Sequence, residues 1–192
     1  MVHYSFFDIL RNAFSLVYTK LFFPKARLVR WPLYLSGKGI DYGKGLTLGR
    51  CCRIDTSYSQ YSLHIGDDAR IGDYVHINAD YDIHIGKNVL MASKIFISDT
   101  NHGNYAGENQ TMPDTNPSKR DYFYKSVIIG DNVWIGENVV ILPGTTIGDG
   151  CIIGANSVLS GKNYPSYSII AGAPGKIIKH YDPNSKSWER VI

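Results

Sequence analysis

The side chains best suited to chemistry in this chain are its histidines, its cysteines and a polar segment around His102. His102 stands in Asn101-His102-Gly103-Asn104-Tyr105, and a neutral imidazole in a loop is the commonest group for taking a proton from an attacking hydroxyl near neutral pH. His64, His76 and His84 each precede an aliphatic residue, Ile65, Ile77 and Ile85, so an outward-pointing position is expected for all three. Successive intervals of 12, 8 and 18 residues from His64 through His102 form no compact ligand motif, and a solvated face is expected rather than a metal site. Cys51 and Cys52 are neighbours and cannot staple distant parts of the chain. With Cys151 they make an odd count that suits a reducing compartment, so free thiols are expected. Cys51 and Cys52 have no histidine beside them in sequence, which disfavours a covalent cysteine intermediate. Asn78, Asp80, Tyr81, Asp99 and Asn101 offer the donors and acceptors that a hydroxyl-rich ligand needs, although solvated corners explain them equally well.

These residues must be positioned by elements that the period of the sequence reveals. Aliphatic residues recur at every sixth position in Ile129, Ile135, Ile141, Ile147, Ile153 and Leu159, often followed by glycine, with Val133, Val139, Thr145, Cys151 and Ser157 four places on. An earlier array runs Ile65, Ile71, Ile77 and Ile83, then shifts by two to Ile85, Met91 and Ile97. A helix needs apolar steps of three and four, and a meander needs alternation with hairpin turns; a strict six fits neither. It fits an all-β solenoid of short parallel strands joined by corners, each hexad about 20 Å long with its aliphatic inward. The two-residue shift marks a bulge or insert at a corner. Between Ile97 and Ile129 the period disappears, and this insert, at about residues 99–127, is the candidate active-site loop.

Residues 1–38 read as an N-terminal helical arm, 39–180 as the solenoid and 181–192 as a departing C-terminal tail. The arm is apolar, yet Asp8, Arg11 and Lys20 interrupt it and Pro24 ends it, so no uninterrupted run approaches the roughly 20 residues of a membrane span. Its aromatic bulk beside Lys20, Lys25, Arg27 and Arg30 suits either packing on protein or peripheral contact with an anionic membrane. A net charge of +3 from 20 Lys+Arg against 17 Asp+Glu is too weak a field for nucleic acid to be the default partner. Glycine, 19 of 192 residues, fits frequent turns.

The hexads, the Asn101-His102-Gly103 loop, Asn132-Val133-Trp134-Ile135-Gly136 and Ala171-Gly172-Ala173-Pro174-Gly175-Lys176 together resemble the hexapeptide-repeat acyltransferases over about residues 39–180. Within that family, Ala92 through Gly103 and the closing Trp188-Glu189-Arg190 are most similar to the lipopolysaccharide and O-antigen O-acetyltransferases, and galactoside and maltose acetyltransferases are more distant. The resemblance implies a left-handed parallel β-helix, a homotrimer with active sites between subunits and acetyl-CoA as co-substrate, and with it a carbohydrate acceptor is expected; the histidine spacing gives no reason to expect a required metal, and the odd cysteine count and the arm together fit a cytoplasmic location, free or at the inner face of the membrane. It implies His102 as the catalytic base and Trp134 beside the donor. It also implies an oxyanion contact from the Glu137 N–H, a pantetheine arm running along Ala155, and phosphate contacts from Lys176 and Lys179 with Lys162 nearby.

Three alternatives stay open: transfer to the nitrogen of an amino sugar or nucleotide-sugar, a metal-dependent hydratase like the γ-class carbonic anhydrases, and a catalytically silent scaffold. The hydratases resemble this chain in scaffold, but their pair of histidines five residues apart is missing.

Overall fold

The computed structural model describes residues 5–191. The hexads fold as flat two- to five-residue strands whose corners need a left-handed backbone. In the second array this conformation recurs every sixth residue, at Asn132, Asn138, Gly144, Gly150 and Asn156, positions filled by the residue types that tolerate it best. The strands stack in parallel as three faces. The first face carries Leu28–Val29, Thr47–Leu48, Arg70–Ile71, Leu90–Met91, Trp134–Ile135, Ile152–Ile153 and Ser168–Ala171. The second runs from Leu33–Ser36 to Val158–Leu159, and the third from Asp41–Tyr42 to Asn163–Tyr164. Ile71, Met91, Ile135 and Ile153 lie in register one above another. They are buried, as are the corner residues Val133, Val139, Thr145, Cys151 and Ser157.

The two-residue shift near Ile83 is a widened corner at Asp80-Tyr81-Asp82. The third-face strand after it, Ile83–Ile85, buries both isoleucines against Leu63 and Ile65 below and Val127 and Ile129 above. The insert is not an open loop. Thr100–His102 pairs antiparallel with Tyr122–Tyr124, and the chain between them is pinned by Arg120, which donates to the carbonyls of Thr115 and Pro113 and to the Tyr105 hydroxyl.

Both ends differ from the expected boundaries. Residues 6–22 form the helix, Phe6–Phe22, opened by a capping box between Ser5 and Asp8. The first coil then begins at Leu28 rather than residue 39, because Leu28–Val29 and Leu33–Ser36 find parallel partners in the next coil; residues 1–4 of the predicted arm lie outside the described residues. The C-terminal segment does not depart. Lys176–Asp182 folds back antiparallel on Ser168–Ala171 and Ser187–Arg190 pairs onto it, extending the first face by a hairpin through the predicted boundary at 181. The last coil strand of the first face, Ser168–Ala171, is thereby paired instead of open.

Candidate active site

His102 is exposed at the end of the Thr100–His102 strand, where the insert leaves the second face. Its ring packs on Tyr122 across the hairpin, centroid to centroid 4.8 Å, and its main-chain carbonyl accepts a hydrogen bond from Tyr105. Among the described residues neither imidazole nitrogen is bonded to another group of the chain. Thus the backbone and ring are held by the hairpin while the exposed imidazole keeps both nitrogens unspent on the chain, as a proton acceptor for an external hydroxyl requires. Gly103, at φ +103, sits where a Cβ would meet the Tyr105 hydroxyl at 2.7 Å, so the tight approach of Tyr105 depends on this glycine.

Asp99 lies at the base of the hairpin and is wholly buried. Its carboxylate accepts from the backbone N–H groups of Asp80, Tyr81 and Asp82 at 3.1, 2.8 and 2.7 Å and from the Thr100 hydroxyl at 2.7 Å. One buried carboxylate therefore ties the widened corner to the inserted hairpin, and its lone pairs are spent on protein. Asn78 donates to Asp80 at 3.1 Å. Tyr81 packs tilted against Tyr124 at 6.0 Å between ring centroids, and Tyr124 against Tyr122 at 6.1 Å, so an aromatic row runs from the corner to the His102 ring. Asn101 is exposed opposite Phe123. Beside this row is an open polar cleft of about 410 Å³ lined by Ser36, Asp55, Thr56, Ser57, Tyr58, Asp80, Tyr122 and Tyr124. Burial, then the Asp80 carboxylate, pushes the Tyr124 phenol up, so it remains a hydroxyl donor. Burial works against ionisation of Asp55, but bonds from Ser36, Arg53 and His76 prevail and hold its carboxyl below the usual range. Sequence reasoning missed Tyr122, Tyr124, Asp55 and Tyr58; the aromatic Tyr122-Phe123-Tyr124 run was the available strand signal.

A second group gathers on the first face and its exit corner. Trp134 is exposed, flanked in register by Leu90 and Ile152. Glu137 turns its carboxylate back to accept from the Ser93 N–H at 2.9 Å, and its own N–H meets no acceptor among the described residues. Ala155 occupies the equivalent corner one coil on, so close that a Cβ on Gly136 would lie 2.7 Å from the Ala155 nitrogen. Lys176 and Lys179 extend this face in the terminal hairpin, opposite Ala171 and Ile169. Lys162 is exposed at the corner before the third face, apart from that row.

The remaining histidines divide between faces. His76 lies on the second face beside Phe96 and 3.2 Å from Asp55. His64 and His84 are register partners on the third face and stack at 4.7 Å. One coil separates them, a proximity hidden in the linear intervals. Each already pairs with a carboxylate, His64 with Asp41 at 3.0 Å and His84 with Asp82 at 2.8 Å. The ligating atoms of His64, Asp82 and His84 lie within 4.8 Å of one another, the grouping among the described residues with the donor chemistry for a divalent ion. The three cysteines are free; burial pushes the Cys52 thiol up to about 11 and raises Cys151 as well, so neither is a ready nucleophile.

The sequence profile named Bacterial transferase hexapeptide (six repeats) matches residues 126–161. The "Putative lipopolysaccharide biosynthesis O-acetyl transferase WbbJ" of Escherichia coli K12 is 38% identical over 98% of this chain and 96% of its own length. The galactoside O-acetyltransferase of the same organism is 33% identical over 82% of this chain and 62% of its own. Among solved structures, the hexapeptide-repeat acetyltransferase VCA0836 of Vibrio cholerae, complexed with acetyl coenzyme A, superposes with a TM-score of 0.54 at 24% identity, covering 82% of this chain and 69% of that one. A point mutant of AntD, an N-acyltransferase of Bacillus cereus in complex with dTDP and coenzyme A, gives 0.62 at 18% identity over 83% and 85%. These two likenesses establish the shared fold, a left-handed parallel β-helix.

Proposed function

Because the chain belongs to the hexapeptide-repeat acyltransferases and is an acetyltransferase, we propose that it transfers the acetyl group of acetyl-CoA to a carbohydrate hydroxyl during assembly of a lipopolysaccharide or other surface polysaccharide. The observation that carries this reading is His102, exposed and with its imidazole nitrogens unspent on the chain among the described residues, at the head of a hairpin whose tyrosines line a polar cleft. Tyrosine faces stack on the C–H faces of sugar rings, and Asp55, Asp80 and Tyr58 supply acceptors and donors for hydroxyls. His102 takes the proton as the acceptor oxygen attacks the thioester carbonyl, the Glu137 N–H donates to the oxygen that becomes negative, and the departing sulfur receives the proton back. Lys176 and Lys179 hold the phosphates of the donor, with Lys162 a weaker candidate on the neighbouring corner. The hairpin and the donor row lie on different parts of one chain, which favours a homotrimer in which one protomer's His102 meets its partner's Trp134 edge.

Incubating the protein with acetyl-CoA and a panel of glycans, lipid-linked oligosaccharides and nucleotide-sugars tests this by mass spectrometry. The expected product is an ester that mild base removes. A base-stable amide on an amino sugar, or no CoA release with any acceptor, would overturn it.

A further inference from the structure

The N-terminal helix Phe6–Phe22 is amphipathic in the reverse of the usual sense. Its inner face is polar. Ser15 and Thr19 are wholly buried; the Thr19 hydroxyl accepts from the Val29 N–H at 2.8 Å, and the Ser15 hydroxyl accepts from the Trp31 N–H at 3.1 Å. Asn12 on the same face accepts from Arg50 at 2.8 Å. Its outer face is apolar: Phe6, Leu10, Phe14, Val17 and Leu21, one to two turns apart, are 50–70% exposed. A helix that spends its polar side on its own protein and turns its apolar side outward has a missing neighbour.

The charges around it identify that neighbour. Residues 5–31 carry five basic side chains, Arg11, Lys20, Lys25, Arg27 and Arg30, against the single acid Asp8; Arg11 pairs with Asp8 at 2.8 Å and Arg27 with Asp68 at 2.7 Å, which leaves Lys20, Lys25 and Arg30 without a carboxylate partner among the described residues. Open notches flank the helix. One, about 570 Å³, is lined by Phe7, Leu10, Arg11, Phe14 and Trp31; the other, about 470 Å³, brings together Arg27, Arg30 and Arg70 beside Leu16. An apolar notch beside a cationic one matches an acyl chain beside its phosphate, whereas a second copy seated face to face would set the same cations against one another. At 17 residues, about 25 Å, the helix is too short to span a bilayer, and no helix among the described residues is long and apolar enough to cross one. We infer that this helix lies in the surface of an anionic bilayer and seats the enzyme on the membrane, apolar face down.

Flotation of the full chain with vesicles of phosphatidylglycerol and phosphatidylcholine in equal parts, and of phosphatidylcholine alone, tests the inference. Recovery is expected with the anionic vesicles only, falling as salt is raised. Phe7→Ser with Phe14→Ser, both at exposed positions, should lower the bound fraction at least about tenfold, and Lys20→Gln with Lys25→Gln should do so less severely. Circular dichroism and acetyl transfer to a water-soluble acceptor should be unchanged in both, which separates this inference from the catalytic reading. Wild-type protein that stays with the unbound fraction, variants that float as wild type does, or a change of oligomeric state in the Phe7 and Phe14 variant would overturn it.

Discussion

The coils and the inserted hairpin are built on opposite plans. In the coils each inward aliphatic does what the one six residues earlier does, and Ile135, Ile141 and Ile147 differ in place but not in task. In the hairpin no residue repeats another's role: Asp99 gathers the corner, Gly103 admits Tyr105, Arg120 holds the return, and His102 faces outward. Redundancy makes a rigid stage on which singular residues can be held, so damage to the stage should appear as instability and damage to the hairpin as lost chemistry.

The largest effect expected is on the stage. Ile141→Asp places an unpaired carboxylate in a fully buried register position and should cost at least about 4 kcal/mol; a melting temperature within error of wild type would contradict the inward stack. His102→Ala should leave folding and CoA binding intact while turnover falls about 10²- to 10⁴-fold, with His64→Ala and His84→Ala costing far less. Between these extremes lies Asp99→Asn, which keeps one acceptor where the wild type has two. It should lose about 1–3 kcal/mol in urea titrations and raise the KM for acceptor while that for acetyl-CoA holds, as a positioning residue would. Lys176→Ala with Lys179→Ala should raise the KM for acetyl-CoA about tenfold with little change in kcat, since partly exposed pairs are screened; a collapse of kcat at constant KM would move the donor site elsewhere.

The smallest effect concerns Cys52. Its folded thiol is pushed up to about 11 from 9.0 by burial, so between those values the unfolded chain releases the proton first. Stability should therefore be fully present below about pH 9 and decline as pH rises toward 11. A Cys52→Ala variant should lack that part of the slope when urea midpoints are compared across the window.

This division also explains what the sequence could disclose. A period of six is legible because each hexad repeats the same inward contact, and it located the strands, the buried corner residues and the start of the insert. It said nothing of lateral neighbours across coils, which is why His64 and His84 looked unrelated and why Asp99 read as a ligand for hydroxyls. Tyr122 and Tyr124 lie outside the period and meet Tyr81 only after the chain closes the hairpin. The arm was legible as a helix; that its polar side turns inward depends on the open strand it covers, a tertiary fact.

That open strand has a consequence of its own. A stack of in-register parallel strands ends in a row of unpaired N–H and C=O groups able to template another stack, and a solenoid of identical ends could grow into a fibre. Here the Ser15 and Thr19 hydroxyls occupy the groups of Val29 and Trp31 at one end, and the folded-back Lys176–Asp182 strand occupies the other. The first face is thus a strand stack closed at both ends, by two caps that the repeat itself does not encode.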